Sequence, residues 1–300
     1  VSLHFLHIED LYKSYGERLV LDNVDLAVRK GELCTVVGPS GCGKSTLLRQ
    51  VLGEEMPDAG RVLVDGLDVS HPDTRRGIVF QRYSLFPHLS VVDNVMTGPL
   101  LHAGWWRVAN KRKQAIREEA MQYLQRMRLA EHADKYPYEL SGGMQQRVAI
   151  AQSLIMKPSI LMMDEPFGAL DPDTREGMQV LLLELWEAEQ MTIFFVTHDL
   201  EEAVYLGTRV LVLSQYYSDD RGTDCKRGAK VIADYQLPRA ANATQVKRSE
   251  AFTRLVESIR SDGFNPELRR HVTAFNLKHP DSFRTLTSEE CRNGGLIRHD

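Results

Sequence analysis

Residues Gly38-Pro39-Ser40-Gly41-Cys42-Gly43-Lys44-Ser45 fit the spacing G-x-x-x-x-G-K-[ST]. They stand between an apolar run, Leu33-Cys34-Thr35-Val36-Val37, and a stretch from Ser45 through Leu52. The run has the character of a buried parallel strand, and a helix is expected after it. A strand that turns through glycines into a helix points the loop's N–H groups and the helix N-terminus at one place, which makes an anion site. In that geometry Lys44 neutralises the β and γ oxygens of a nucleotide, Ser45 ligates Mg²⁺, and Thr46 joins the phosphate-binding set. Glycines are needed because a Cβ would hold the backbone away from the oxygens. An ordinary glycine-rich turn is the alternative, and the flanking strand and helix disfavour it.

Such a loop requires an α/β chain, and the remaining periodicities agree. The first thirty residues alternate apolar and polar positions (Leu3, Phe5, then Leu19, Leu21 and Val24, Leu26, Val28), with a turn at Tyr15-Gly16-Glu17. This predicts an antiparallel β region. Two further buried strands, Ile160 to Met163 ending at Asp164 and Thr192 to Thr197 ending at His198, close on polar residues. Open parallel sheets place their sites at such strand ends. Val210 to Leu213 and the stretch near Lys230 to Tyr235 add strands on either side of a Gly- and charge-rich turn from Ser218 to Gly228.

From Pro87 to Tyr136 the texture changes. Gly98, Pro99 and Gly104 read as turn residues, Trp105-Trp106 is an aromatic pair, and Lys113 to Met127 is a charged helical stretch. There Ile116, Ala120, Tyr123, Leu124 and Met127 make one buried stripe. A helical subdomain inserted into the α/β core is expected. A last helix is expected at about Ser249 to Ile259, and the tail to Asp300 has only weak periodicity.

Asp164 and Glu165 put two carboxylates at a strand end, where Asp164 could hold Mg²⁺ directly or through water and Glu165 could polarise an attacking water as general base. Pro166 prevents strand continuation. Alone, such a pair is more often a helix N-cap or loop surface; the phosphate loop upstream reverses that preference.

The composition excludes other classes. The net charge of -4 over 300 residues offers no basic excess for neutralising a nucleic-acid backbone. No stretch approaches the roughly 20 apolar residues that span a bilayer, and His4, His7, Glu9 and Asp10 stand where a signal peptide would be apolar, so a cytosolic chain is the default expectation. Cys34, Cys42, Cys225 and Cys291 are widely spaced free thiols without a CxxC pair. Cys34 reads as a core residue, whereas Cys42, inside the loop, is expected to react with thiol reagents and to do so more slowly with ATP present.

Leu140-Ser141-Gly142-Gly143-Met144-Gln145-Gln146-Arg147 resembles the signature of the ATP-binding cassette family of transport ATPases, and the resemblance runs from about Leu6 to Leu213 in the family's order. It implies an α/β P-loop NTPase core with a mostly parallel sheet, an N-terminal antiparallel β subdomain and an inserted helical subdomain at about 87–155. The ATPase domain would cover 1–262, with a C-terminal extension at 263–300. The resemblance also implies residue roles. Tyr15 matches the aromatic that stacks on adenine, and Gln81 the glutamine that touches Mg²⁺ and the water. His198 matches the switch histidine at the γ-phosphate, and Asp171 the loop that communicates across a dimer. Glu165, His198, Gln81 and Lys44 thus form the expected catalytic set, and Ser45, Gln81 and Asp164 the metal set. Without the family, Tyr15 reads as a β-surface aromatic, Gln81 as a solvated loop residue and His198 as a capped strand end.

Ser141, Gly142 and Gly143 open a helix whose N-terminus can offer donors to a γ-phosphate. In the family that phosphate belongs to an opposing copy, so two chains would sandwich two ATPs head to tail and one chain alone would hydrolyse poorly. The resemblance further implies integral-membrane permease subunits, a solute-binding protein, and a peripheral place on the cytoplasmic face of the inner membrane. The segment Arg82 to Trp106 would receive a short permease helix, with Phe86, Pro87, Trp105 and Trp106 as groove residues. Leu85 to Ser90 resembles importer subunits, and Met144 is similar to the nitrate, sulfonate and taurine group. Gln152 stands where many members carry Arg, with no account. A lipid-trafficking cassette would share these motifs. A non-transport cassette would need a second cassette or a long coiled coil, and a kinase or GTPase would lack the signature.

Overall fold

In the computed structural model, which describes residues 5–81, 84–104, 109–222, 227–237, 247, 249–267 and 269–272, the alternating N-terminal positions form a hairpin. β1 (Leu6–Tyr15) and β2 (Arg18–Val28) pair antiparallel, turning where Tyr15 faces Arg18. Leu6, Ile8 and Leu11 are fully buried, as the period of two requires. β3 (Leu33–Val37) is buried at all five positions and leads through the glycine loop into α1 (Lys44–Leu52). β4 (Ala59–Val64) then pairs antiparallel with β1 and turns into β5 (Leu67–Asp68). These elements belong to the first of two compact units, which holds the residues up to Asp73 and those from Phe194 onward.

The second unit is Thr74–Ile193. Its β6 (Arg76–Phe80) is followed by the helices α2 (Val91–His102), α3 (Asn110–Arg126) and α4 (Gly142–Leu154), which pack on one another. β7 (Ile160–Asp164) and α5 (Pro172–Glu189) complete it. β6 and β7 are parallel, with Phe80 opposite Asp164. The expected stripe on α3 is buried at Ile116, Ala120, Tyr123 and Leu124, with Met127 buried just beyond it.

Gly98 and Pro99, expected at a turn, lie inside α2 instead. The helix is held from its start: Ser90 Oγ accepts from Asp93 N, and Asn94 Nδ2 donates to the carbonyls of Phe86, Leu89 and Ser90. Gly98 meets Met156, where a Cβ would stand 2.8 Å from Sδ. Tertiary packing therefore outweighs the cost of roughly 3 kcal/mol that a proline brings to a helix interior. Trp105, Trp106, Cys225 and Cys291 lie outside the described residues.

β8 (Thr192–Val196) carries the chain back to the first unit. There α6 (Leu200–Leu206), β9 (Arg209–Ser214), β10 (Tyr217–Ser218), β11 (Lys230–Gln236), α7 (Glu250–Phe264) and β12 (Arg270–His271) follow. β9 runs parallel to β3 and antiparallel to β11, and β10 pairs with β12. Val37, Val210, Val212, Ile232, Phe252, Val256 and Ile259 share one core cluster. α7 runs past the expected Ile259 because Gly263 lets its last turn approach β9: a Cβ would stand 2.2 Å from Val212 Cγ1, and Ser214 Oγ donates to the Gly263 carbonyl at 2.7 Å.

Candidate nucleotide site

In the first unit the phosphate loop takes the conformation its spacing demands. Gly43 is the N-cap of α1 at φ 106, and an added Cβ would stand 2.9 Å from Val20 Cγ1, so any other residue would be both strained and crowded. No side chain caps α1, and its first turn carries no acidic residue. The positive end of the helix dipole is thus left for an anion. Ser40, Gly41 and Ser45 are exposed, Pro39, Gly43 and Thr46 half-buried, and Gly38 buried. Lys44 is 7% exposed, and its Nζ donates to the carbonyls of Gly38 at 2.8 Å and Pro39 at 3.1 Å. The ammonium therefore rests on its own loop.

Cys42 corrects an expectation. Its side chain turns inward, with Sγ 3.4 Å from the Leu213 carbonyl and only 2% exposed, and burial pushes its thiol pKa up. It is a packing residue, as is the fully buried Cys34, whose thiol burial raises well above the ordinary value.

Tyr15 is 44% exposed at the hairpin turn, with its hydroxyl bonded to the Glu55 carboxylate and the Lys13 ammonium 5.7 Å from its ring. Burial, then the Glu55 contact, raise its pKa. Arg18 Nη2 reaches the Gly41 carbonyl at 3.3 Å. Arg18 was not legible as a loop partner because no spacing rule joins a hairpin turn to a glycine loop. His198 is exposed after β8. Around it Thr197 Oγ1 donates to Glu202 Oε2 at 2.6 Å and accepts from Asp199 N at 3.1 Å, while Asp199 caps α6 through Glu201 N and Glu202 N.

In the second unit the parallel register of β6 and β7 brings Gln81 and Glu165 out at neighbouring strand ends. Gln81 lies against Gly168, where a Cβ would stand 3.2 Å from its Nε2, and Gly168 N donates to the Glu165 carbonyl at 3.1 Å. Asp164 and Glu165 are half-buried. Glu165 sits at φ 47, a left-handed conformation that costs a glutamate of order 1 kcal/mol or more and that clusters at functional sites.

Ser141 is the exposed N-cap of α4, its Oγ accepting from Met144 N at 3.3 Å, with Gly142 half-buried behind it. Gly143 is buried against α5, where a Cβ would meet Thr174 Cγ2 at 2.3 Å. Asp171 caps α5 by accepting from Thr174 N at 3.0 Å, and that N–H lowers its pKa. Ser141, Gly143 and Asp171 thus each have a local structural duty.

An uncapped helix N-terminus behind a glycine loop is the arrangement of the phosphate-loop class of nucleotide-binding proteins. Residues 21–168 match the family described as ABC transporter. The chain is 46% identical over 215 residues to an uncharacterized ABC transporter ATP-binding protein of Methanocaldococcus jannaschii, covering 71% of this chain and 78% of that one. It is 42% identical over 254 residues to the taurine import ATP-binding protein TauB of Rhizobium johnstonii, covering 82% and 90%. Over 203 residues it is 40% identical to the aliphatic sulfonates import ATP-binding protein SsuB of Bacillus anthracis, covering 68% and 77%. Among solved structures, cbiO1 of Clostridium perfringens, part of an ABC transporter complex, matches with a TM-score of 0.68 at 26% identity, covering 86% and 95%. An ATP-binding cassette solved as a dimer in a post-hydrolysis state with ADP and Pi matches with a TM-score of 0.63 at 31% identity, covering 78% and 100%. The chain belongs to the ABC transporter family and is one of its ATP-binding ATPase subunits.

Proposed function

We propose that two copies of this chain bind two ATPs head to tail, and that their hydrolysis to ADP and phosphate drives solute import through a separate permease at the cytoplasmic face of the inner membrane. The observation that carries the hydrolytic part is Glu165 held at φ 47 beside the Gln81 strand end. A backbone that keeps a glutamate in that conformation points to a positional demand on its carboxylate.

Lys44 leaves the Gly38 and Pro39 carbonyls for the β- and γ-phosphates, and the loop amides with the α1 N-terminus take the remaining charge. Tyr15 stacks on adenine. Glu165 polarises the water, Gln81 orients it, and His198 contacts the γ-phosphate. Ser141, Gly142 and Gly143 face the γ-phosphate held by the other copy, and Asp171 relays between copies. Ser45, Asp164 and Gln81 are oxygen donors of the kind a hard Mg²⁺ accepts while keeping several waters. Among the described residues no group of three His, Cys, Asp or Glu could hold a metal by itself, so the ion would arrive with the phosphates. When bound, it neutralises phosphate charge.

Residues 1–262 would act as the ATPase domain, and the helical part at about 87–155 would meet the permease, with Phe86 and Pro87 in its groove. No helix among the described residues is long and apolar enough to cross a membrane. The names of the taurine and aliphatic sulfonates import relatives support import of a sulfonate-bearing solute, and a solute-binding protein would deliver it. Sedimentation of Glu165→Gln with ATP tests the reading. A stable ATP-bound dimer without turnover is expected, and a persistent monomer would count against the sandwich.

A further inference from the structure

We infer that Glu55 is a positioning residue of the nucleotide site: it fixes the ring of Tyr15 in the orientation that stacks on adenine, and Arg49 holds the Glu55 carboxylate in place. This role rests on the stacking of Tyr15 on adenine proposed above. Tyr15 ends β1, where the chain turns through Gly16 and Glu17 into β2, and it is 44% exposed. A tyrosine in such a place has rotamers to choose from, and a base that stacks on it must order the ring at its own cost. In this chain the ring is already held. Its hydroxyl donates to Glu55 Oε2, a charge-assisted bond, and the Lys13 ammonium lies over it, 5.7 Å from the centroid.

Glu55 lies just past α1. The helix ends at Gly53, whose φ of 77 turns the chain and whose added Cβ would stand 2.7 Å from the His71 backbone, so only a glycine fits this exit. Glu54 N donates to the Arg49 carbonyl at 3.0 Å, and Arg49 Nη1, from the last turn of α1, reaches Glu55 Oε1 at 3.2 Å. One carboxylate oxygen thus takes the tyrosine hydroxyl and the other the guanidinium. The same helix carries the phosphate loop at its start. A single rigid element therefore holds the anion site at one end and, through Arg49 and Glu55, the aromatic ring at the other. The base and phosphates of one nucleotide must be met at a fixed separation, and this linkage sets it. The hairpin itself is anchored without Glu55. Ser14 N donates to Asp58 Oδ2 at 2.6 Å, Asp58 N to the Tyr12 carbonyl at 2.9 Å, and Lys13 Nζ to the Met56 carbonyl at 2.7 Å. Loss of the Glu55 carboxylate frees the ring and leaves the strand in place.

The test uses the full chain, dilute enough to stay monomeric, with affinities for ATP and for inorganic tripolyphosphate measured side by side. Glu55→Ala should weaken ATP binding roughly fivefold, a part of the roughly tenfold or more that loss of the whole ring in Tyr15→Ala should cost. Tripolyphosphate, which has no base, should bind Glu55→Ala as it binds the parent. Glu55→Gln keeps an acceptor oxygen for the hydroxyl and should bring ATP affinity back to within about twofold of the parent. In a Tyr15→Phe background, which lacks the hydroxyl, adding Glu55→Ala should cost nothing further. An equal loss of tripolyphosphate affinity would overturn the inference by placing the effect at the phosphate loop. So would an undiminished Glu55→Ala loss in the Tyr15→Phe background, by showing that Glu55 acts through another group. Unchanged ATP affinity in Glu55→Ala, with Tyr15→Ala weakened, would overturn the positioning role and leave the stacking standing. Unchanged ATP affinity in Tyr15→Ala would remove the stacking and this role together.

Discussion

Cys42 and Glu165 show how one residue's meaning depends on which way its bonds point. Both stand in motifs, yet the Cys42 side chain turns into the protein, while Glu165 is half-buried on a backbone at φ 47. The thiol's 2% exposure and raised pKa leave little thiolate to react. Native protein treated with a thiol reagent and mapped by mass spectrometry should label the Cys42 peptide at least roughly tenfold more slowly than unfolded protein, whether or not ATP is present. Fast labelling of the native chain would contradict the inward rotamer. Loop membership was legible from the spacing alone, because glycines and Lys44 recur for a chemical reason. Side-chain direction was not, because it depends on the Leu213 carbonyl far along the chain.

Among the elements, the turn between β10 and β11 shows what a sequence pattern cannot announce. Its glycines and charges read as a turn, yet Arg221 within it reaches the buried Asp22 of β2, donating to both carboxylate oxygens at 3.1 and 2.7 Å, and the Tyr217 hydroxyl of β10 donates to one of them at 2.8 Å. Asp219 is bonded by Arg221 and by Arg227, the latter at 2.8 Å. Burial works to raise the Asp219 pKa, but these bonds prevail and hold it at about 2, against an ordinary 3.8. A carboxylate depressed in this way stabilises the fold fully above its unfolded value, and that contribution fades as the pH falls through about 4 toward 2. Solvent screening cuts what such exposed ion pairs are worth, so Asp219→Asn should cost about 1 kcal/mol at pH 7 by urea unfolding, with the gap to the parent narrowing near pH 3. A gap independent of pH would show that the ion pairs are not its source. β3 and the α3 stripe were readable in advance because burial on both faces, or along one, leaves a period in the sequence. The helical course of Gly98-Pro99 and the length of α7 were not, because Met156 and Val212 decide them from elsewhere in the chain.

For the whole molecule, the proposed sandwich means that a single chain holds only half of each site. ATPase activity in dilute solution should rise close to the square of protein concentration, so that halving the protein cuts the total rate roughly fourfold. A rate strictly proportional to concentration, down to the lowest measurable level, would indicate a site complete within one chain. The sequence by itself determined the family, the phosphate loop, the acidic strand end and the order of motifs, since each rests on residue types at short spacings whose chemistry is local. Only the tertiary structure decided that Glu165 is strained beside Gln81, that Cys42 is packed away and that Asp22 anchors a distant turn. Those facts come from contacts between segments far apart in the chain, or from a backbone conformation that the surrounding packing imposes. A pattern of neighbours along the sequence carries no record of either.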